Sequence, residues 1–361
     1  ITDGFNGTTS VITNGFSNIN TLVGSSANGD TLTGANVTSS WKFDVGSLKL
    51  EVGSTILNFS SIESLVGGTA SDTFFFADGV TFNGAIDGGA GNDTLTYASS
   101  TMAHSVVLTS VGSTDGFNGN ADDITNGFSN INVLIGDGLD TLTGLDANAT
   151  WSVTSANTIN YVSGNTLNVT AFAILVGGNA NDALTFAAFS AAQNFTLASL
   201  GNVDGFNLTA TSFNGEFRNI NTLVGGASSD MLNGLNAATA WKFEVGSSKL
   251  EVGSNTLTFS SIETLNGGTD VDTFTFADAQ TFNGVIDGKG GDDQLLFTNY
   301  TTALSVVLTS LGATDGFNGT VAPISGGFKN INAVTGGAAI DSLTALNTDN
   351  LWNIVGADSG N

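Results

Sequence analysis

Cysteine is absent from this chain, proline and histidine occur once each, and only seven lysines and arginines stand against 32 aspartates and glutamates. No cysteine means no disulfides, which by itself leaves the compartment open. A formal net charge of -25 with so few cations excludes a phosphate-binding surface, so nucleic acid is not an expected partner. Long apolar runs are missing too: Thr73 to Ala77 is among the longest, far too short to cross a bilayer, so no membrane span is expected. Nor does any segment hold a 3.6-residue hydrophobic period with caps, which predicts almost no helix. No charged-then-apolar leader follows Ile1, so any secretion signal is expected to lie outside this segment.

What the chain does have is glycine, phenylalanine and repetition. With 48 Gly it would suit a disordered linker, but 40% hydrophobic residues and 25 Phe argue for a large buried interior. The stretch from Trp41-Lys42-Phe43 to Asp115-Gly116-Phe117-Asn118-Gly119 returns without a gap 200 positions later, from Trp241-Lys242-Phe243 to Asp315-Gly316-Phe317-Asn318-Gly319. An array of stacked units repeats itself in this way, and a single globular core does not. The long repeat runs from about residue 3 to 203 and again, incompletely, from 204 to 361.

A finer ruler lies inside it. A glycine turn followed by Asp and an alternating strand recurs with its Asp at 30, 72, 93, 140, 182, 230, 272, 293 and 341. The intervals of 42, 21, 47, 42, 48, 42, 21 and 48 residues, taken as one or two units each, average about 22 per unit. The marker Asp-Gly-Phe-Asn falls at Asp3, Asp115, Asp204 and Asp315, and its short middle interval lacks one unit, corresponding to Asp87 through Met102. Loss of a whole unit is what nearest-neighbour stacking permits. Leu95/Tyr97, Leu184/Phe186 and Phe274/Phe276 alternate as inward-facing strand positions do. The expected fold is all-β, a right-handed parallel β-helix over residues 1–361 as one continuous β-solenoid, with about 22 residues per rung and about 16 rungs. Repeated aromatics (Phe16, Phe128, Phe217, Phe328; Trp41, Trp151, Trp241, Trp352) are expected in the core, and the Asn-Ile-Asn elements at Asn18, Asn130, Asn219 and Asn330 as caps of turn backbone. Both ends fall part-way through a unit, which reads as a window on a longer array or as subunits that stack end to end.

Asp140-Thr141-Leu142-Thr143-Gly144-Leu145, then Trp151, then Gly177-Gly178-Asn179-Ala180-Asn181-Asp182 resemble the repeats of filamentous-haemagglutinin-like bacterial exoproteins, and the likeness runs through the whole chain. That resemblance implies export to the cell surface or beyond, a parallel β-helix shaft, and a role in adhesion, biofilm or surface coating. Gly88 to Thr96, reading Gly-Gly-Ala-Gly-Asn-Asp-Thr-Leu-Thr, also resembles the nonapeptide of haemolysin-type (RTX) calcium-binding β-rolls. By that resemblance, turn carbonyls and the carboxylate hold Ca²⁺ between adjacent turns, with Gly88, Gly91 and Asp93 at ligand positions and Asp72, Asp272 and Asp293 as related sites. Lys289 stands where the motif wants its second Gly, and the bland reading is an Asp that caps its own turn.

The function expected is therefore a structural or adhesive fibre segment without catalysis, whose partners are further copies of itself, end to end or laterally, or surface glycans. A glycan-binding module or a polysaccharide-active β-helix enzyme is the alternative. For an enzyme the chain offers little. His104 has Leu304 as its counterpart and reads as an incidental surface residue, while Lys42/Lys242 and Lys49/Lys249 recur as structural positions do. No carboxylate pair stands apart from the repeat.

Overall fold

The computed structural model describes residues 3–353. Every regular element among them is a strand, 36 in all, and none is a helix. The near-absence of helix expected from the missing 3.6-residue period is what is found. The chain divides into two compact units: one is the chain up to Phe186 together with Ser212–Ile220, and the other is Ala187–Thr211 together with the chain from Asn221 onward.

Each unit is organised around parallel ladders. In the first, Leu32, Leu65, Ile86 and Phe128 lie in register on adjacent strands. A second ladder sets Trp41, Phe74, Leu95, Leu134 and Val169 beside one another. Every member of the second ladder is buried. The other unit repeats both, as Leu232, Leu265, Ile286 and Phe328, and as Trp241, Phe274, Leu295 and Val334. Ring stacking reinforces the register: Trp41 on Phe74 at 5.8 Å, Phe43 on Phe76 at 4.2 Å, and Phe243 on Phe276 at 4.2 Å. Burial of side chains this large contributes about 1.5–3 kcal/mol apiece.

The steps are not uniform. From Leu32 to Leu65 is 33 residues, to Ile86 a further 21 and to Phe128 a further 42, and Leu232 to Phe328 repeats those steps. A rung near 22 residues therefore occurs at one step of this ladder in each unit, and the even spacing and the count of about 16 are corrected. The extra length goes into antiparallel meanders. Strands Ser39–Asp44, Ser47–Val52 and Thr55–Ser60 fold back on one another through two-residue turns, with Gly46 and Gly53 at φ +78° and +60°. Glycine reaches that left-handed region without the Cβ penalty, and such turns suit hairpins. The outer strands of the meander rejoin the parallel ladder, against Asp72–Phe76 and Thr21–Val23. Ser105–Val111, Phe117–Ala121 and Ile124–Ile131 form a second meander, and Ala149–Ser155, Thr158–Ser163 and Asn165–Val176 a third. The recurring lysines sit on these hairpins: Lys42 pairs Glu51 at 2.6 Å and Lys49 pairs Asp44 at 3.0 Å, with Lys242–Glu251 and Lys249–Glu244 in the other unit.

Candidate functional site: the aspartate corners

The Gly-Gly turn leads into Asp72 at the start of strand Asp72–Phe76, and the next turn leads into Asp93. Both carboxylates are fully buried, as are those of Asp140, Asp182, Asp230, Asp272 and Asp293. A buried carboxylate is costly unless hydrogen-bonded, and the corners answer that requirement in a repeating way. One oxygen faces the earlier strand. Ser39 N–H donates to Asp72 Oδ1 at 2.9 Å, Asp72 N–H to Asp93 Oδ1 at 2.8 Å, and Asp93 N–H to Asn132 Oδ1 at 3.0 Å. In the other unit Asp272 N–H donates to Asp293 Oδ1 at 2.8 Å and Asp293 N–H to Asn332 Oδ1 at 3.1 Å. The second oxygen closes the residue's own turn: Asp137 N–H reaches Asp140 Oδ2 at 2.9 Å, Gly268 N–H reaches Asp272 Oδ2 at 2.7 Å, and Gly337 N–H reaches Asp341 Oδ2 at 2.7 Å. Corners such as Asp140 and Asp341 thus tie a turn to itself and to the strand one step earlier, whereas at Asp72, Asp93 and Asp293 only the tie to the earlier strand is made.

The glycines before these aspartates are fixed by the same geometry. A Cβ on Gly67 would collide with the Gly88 carbonyl oxygen and the Asp72 carboxylate, and one on Gly88 with the Asn130 carbonyl and the Asp93 carboxylate. The Asn-Ile-Asn elements act as expected at Asn130, whose Oδ1 accepts from Thr114 N–H at 3.0 Å while its Nδ2 donates to Asp87 Oδ1 at 2.7 Å.

Electrostatically, five of these corners, at Asp72, Asp93, Asp140, Asp272 and Asp293, lean toward protonation. Burial pushes the Asp93 carboxyl up to about 7, with repulsion from Asp72, Asp115 and Asp87 added and the Asp72 N–H working against it. Asp293 is pushed up to about 7 for the same reasons, with Asp272, Asp315 and Asp287 as neighbours. Burial raises Asp272 to about 6, and it raises Asp72 and Asp140 as well.

The residues expected to hold calcium are brought together in the first unit: Gly88 and Gly91 lie in the turn before Asp93, and Asp72 lies one step earlier. Asp115, which the motif did not point to, joins them by accepting from Gly91 N–H at 3.1 Å. Asp72 Oδ2, Asp93 Oδ2 and Asp115 Oδ1 are buried with no hydrogen-bond partner. Oxygen is the right donor for a hard cation, although among the described residues no three acidic, histidine or cysteine side chains converge as a metal cluster. The second unit places Asp272 and Asp293 in the same way, and there Lys289 brings its ammonium to Asp287 Oδ2 at 3.1 Å. The capping role of the aspartates is visible directly in these hydrogen bonds.

One reading of the sequence is overturned here. His104 is no surface residue: it is buried, stacked on Tyr97 with ring centroids 4.2 Å apart. Its Nδ1 lies 2.7 Å from Asp123 Oδ2, its Nε2 lies 2.7 Å from Ser100 Oγ, and its N–H donates to Asp140 Oδ1 at 2.8 Å. Comparison with known protein families and with curated proteins finds no match for this chain.

Proposed function

We propose that the chain is a non-catalytic structural or adhesive segment of an exported bacterial surface fibre, built as a right-handed parallel β-solenoid shaft. The observation that carries this reading is the repetition of one ladder, with steps of 33, 21 and 42 residues, at Leu32 to Phe128 and again at Leu232 to Phe328. The chain spends its length on repeating a stack, and stacks of this kind serve as shafts and extended surfaces. Its partners in this reading are further copies of itself or surface glycans. Electron microscopy of the native assembly tests it. Continuous fibres with a spacing of about 4.8 Å along the axis are expected. Isolated particles on intracellular fractionation would overturn it.

Glycan binding as the main activity is favoured by one feature, a groove of about 630 Å³ that includes Glu244, Ser248, Ser260, Gln280 and Asn283 in its lining. Hydroxyls and amides of this kind suit sugar hydroxyls. Phe243, Phe259 and Phe282 lie buried beneath, so no open ring is offered for stacking. Retention on a glycan array that is lost in Gln280→Ala would promote this reading, and sugar release from a polysaccharide panel would promote the enzyme.

Calcium belongs to the same proposal. The unpartnered oxygens of Asp72, Asp93 and Asp115 support a cation at the first copy, and those of Asp293 and Asp315 at the second, where Lys289 pairs Asp287 beside them. Bound cation would stabilise the folded chain by mass action. Melting is therefore expected to rise with millimolar Ca²⁺ relative to chelator, and equal melting would reduce these corners to caps.

A further inference from the structure

Three strands of one sequence pattern occupy equivalent places in this chain. Ser105–Val111, Asn194–Leu200 and Ser305–Leu311 all read Ser/Asn, Val/Phe, Val/Thr, Leu, Thr/Ala, Ser, Val/Leu. Each is hydrogen-bonded on two sides. On one side it runs parallel to a corner strand, at residues 141–143 of Val133–Thr143, at Met231–Asn233 or at Ser342–Thr344. On the other it runs antiparallel to Phe117–Ala121, Phe206–Ala210 or Phe317–Val321. Its second and fourth side chains face the interior, where Val106, Leu108, Phe195 and Leu197 are buried.

A fourth pair of flanking strands has no such bridge. Phe5–Gly7 is the counterpart of Phe117–Ala121, and Thr31–Thr33 that of residues 141–143. Among the described residues Phe5–Gly7 pairs only with Phe16–Ile19, and Thr31–Thr33 only with Ser64–Gly68. Between them lies a groove of about 840 Å³ whose lining includes Phe5, Phe16, Leu22, Leu32 and Leu57. Phe5 and Leu32 are partly exposed there, whereas Phe117, Phe206, Leu142 and Leu232, with a bridging strand beside them, are fully buried. The polar groups that grip the strand elsewhere are also in place. Its entry amide, at His104, Gln193 or Leu304, donates to Oδ1 of Asp140, Asp230 or Asp341 at 2.8, 2.6 and 2.8 Å. The carbonyl of that same residue accepts from Thr141, Met231 or Ser342 N–H at 2.9 Å. Its serine accepts from Nδ2 of Asn118, Asn207 or Asn318 at 2.9 Å. The counterparts are Asp30, Thr31 and Asn6, and among the described residues Asp30 Oδ1, Thr31 N–H and Asn6 Nδ2 have no hydrogen-bond partner. Asn6 already holds the required pose: its Oδ1 accepts from Asn18 N–H at 3.1 Å, as Asn118 Oδ1 does from Asn130 N–H.

We propose that this groove is a strand-acceptor site: it takes an extended segment of a partner polypeptide that carries the pattern Ser/Asn, Val/Phe, Val/Thr, Leu, Thr/Ala, Ser, Val/Leu, parallel to Thr31–Thr33 and antiparallel to Phe5–Gly7. An open sheet edge is a template for such addition, in which main-chain bonds give affinity and alternate side chains give selectivity. The three filled places define the occupant. One residue's amide and carbonyl satisfy Asp30 Oδ1 and Thr31 N–H together, the second and fourth side chains cover Leu32 and Phe5, and the serine meets Asn6. A second folded copy of this chain cannot lend its own bridging strands, because each is already held on both sides. Such capture needs no fibre, so its failure leaves the shaft reading untouched.

The test titrates a fluorescently labelled peptide with the sequence of residues 303–311 into the full chain, followed by anisotropy and by hydrogen exchange. Saturable binding is expected, with exchange slowed at Phe5–Gly7 and Thr31–Thr33 and unchanged at Met231–Asn233, whose bridging strand is in place. The same peptide with Val306→Asp and Leu308→Asp should not bind. N-methylation of the Leu304 amide in the peptide removes the donor to Asp30 Oδ1 and should weaken binding by about tenfold. Asn6→Ala in the chain should weaken it by about threefold to tenfold. Should that variant loosen its own hairpin, the two altered peptides still decide the matter on the unaltered chain. The site is overturned by no saturation up to about 1 mM peptide, by equal binding of the aspartate peptide, or by protection that appears away from the groove. A dimer on sedimentation, in which a second copy fills the groove and excludes the peptide, overturns it too.

Discussion

The two copies of the long repeat agree at their stacked ring positions and differ in how they fill the pocket beside Tyr97 and Phe297. Trp41 and Trp241 are both fully buried and stack on Phe74 and Phe274 at 5.8 and 5.6 Å. Downstream of Phe76 and Phe276 the chain buries His104 in one case and Leu304 in the other. The comparison separates what the fold demands from what it tolerates. The ladder positions named here hold ring or branched aliphatic groups, whereas the Tyr97 pocket holds a polar network in one copy and an apolar plug in the other.

Truncating the shared ladder should give the largest effect. Trp41→Ala and Trp241→Ala are each expected to cost about 3–5 kcal/mol in denaturant unfolding, since both leave a cavity under a stacked Phe. Unequal costs would show that the copies differ in more than the pocket. Next comes pH. Asp93 and Asp293 have folded values raised to about 7, above the ordinary carboxylate range, so the folded state binds the extra proton. Their contribution is fully present in acid and is lost as pH rises through about 7. Melting should therefore fall over that interval, and Asp93→Asn with Asp293→Asn should flatten the decline. A slope that persists in the double variant would locate the titration elsewhere.

Smaller effects sharpen the contrast. Asn130→Ala and Asn330→Ala each remove a cap, the bond to Thr114 N–H or Thr314 N–H, and the bond to Asp87 or Asp287. A matched loss of about 1–3 kcal/mol is expected by urea titration. The smallest effect is at Lys289, which holds φ +73° and offers its ammonium to Asp287. Lys289→Gly relieves the backbone and loses an exposed ion pair, so stability should change by less than about 1 kcal/mol. Under the cation reading, the variant should also make the second copy as sensitive to chelator as the first.

Much of this was legible in the sequence. The alternation at Leu95/Tyr97 and the Gly-Gly-Asp turns placed strands and corners, and the Asn-Ile-Asn elements announced their caps. The even rung was not legible, because a two-residue turn such as Val45-Gly46 looks the same whether the next strand travels onward or doubles back. Averaging the Asp intervals hid this. Asp30 and Asp72 are 42 residues apart, yet Thr31 lies beside Ser64 and Asp72 beside Ser39. His104 was misjudged because it was weighed alone. Twelve positions differ between the copies from Tyr97 to Asp123, and which of them share a pocket with His104 is visible only in the fold.

The corner hydrogen bonds also have a direction. The carboxylates of Asp72, Asp93, Asp140, Asp230, Asp293 and Asp341 each accept from an amide that precedes them in the chain, as Asp72 does from Ser39 and Asp93 from Asp72. Peeling a turn from the C-terminal side bares that amide in the turn left behind, whereas peeling from the N-terminal side bares the carboxylate oxygen together with ladder amides such as Ser64 N–H, which donates to Asp30 O at 3.0 Å. Within either unit, a corner therefore couples the fraying of each turn to both of its neighbours.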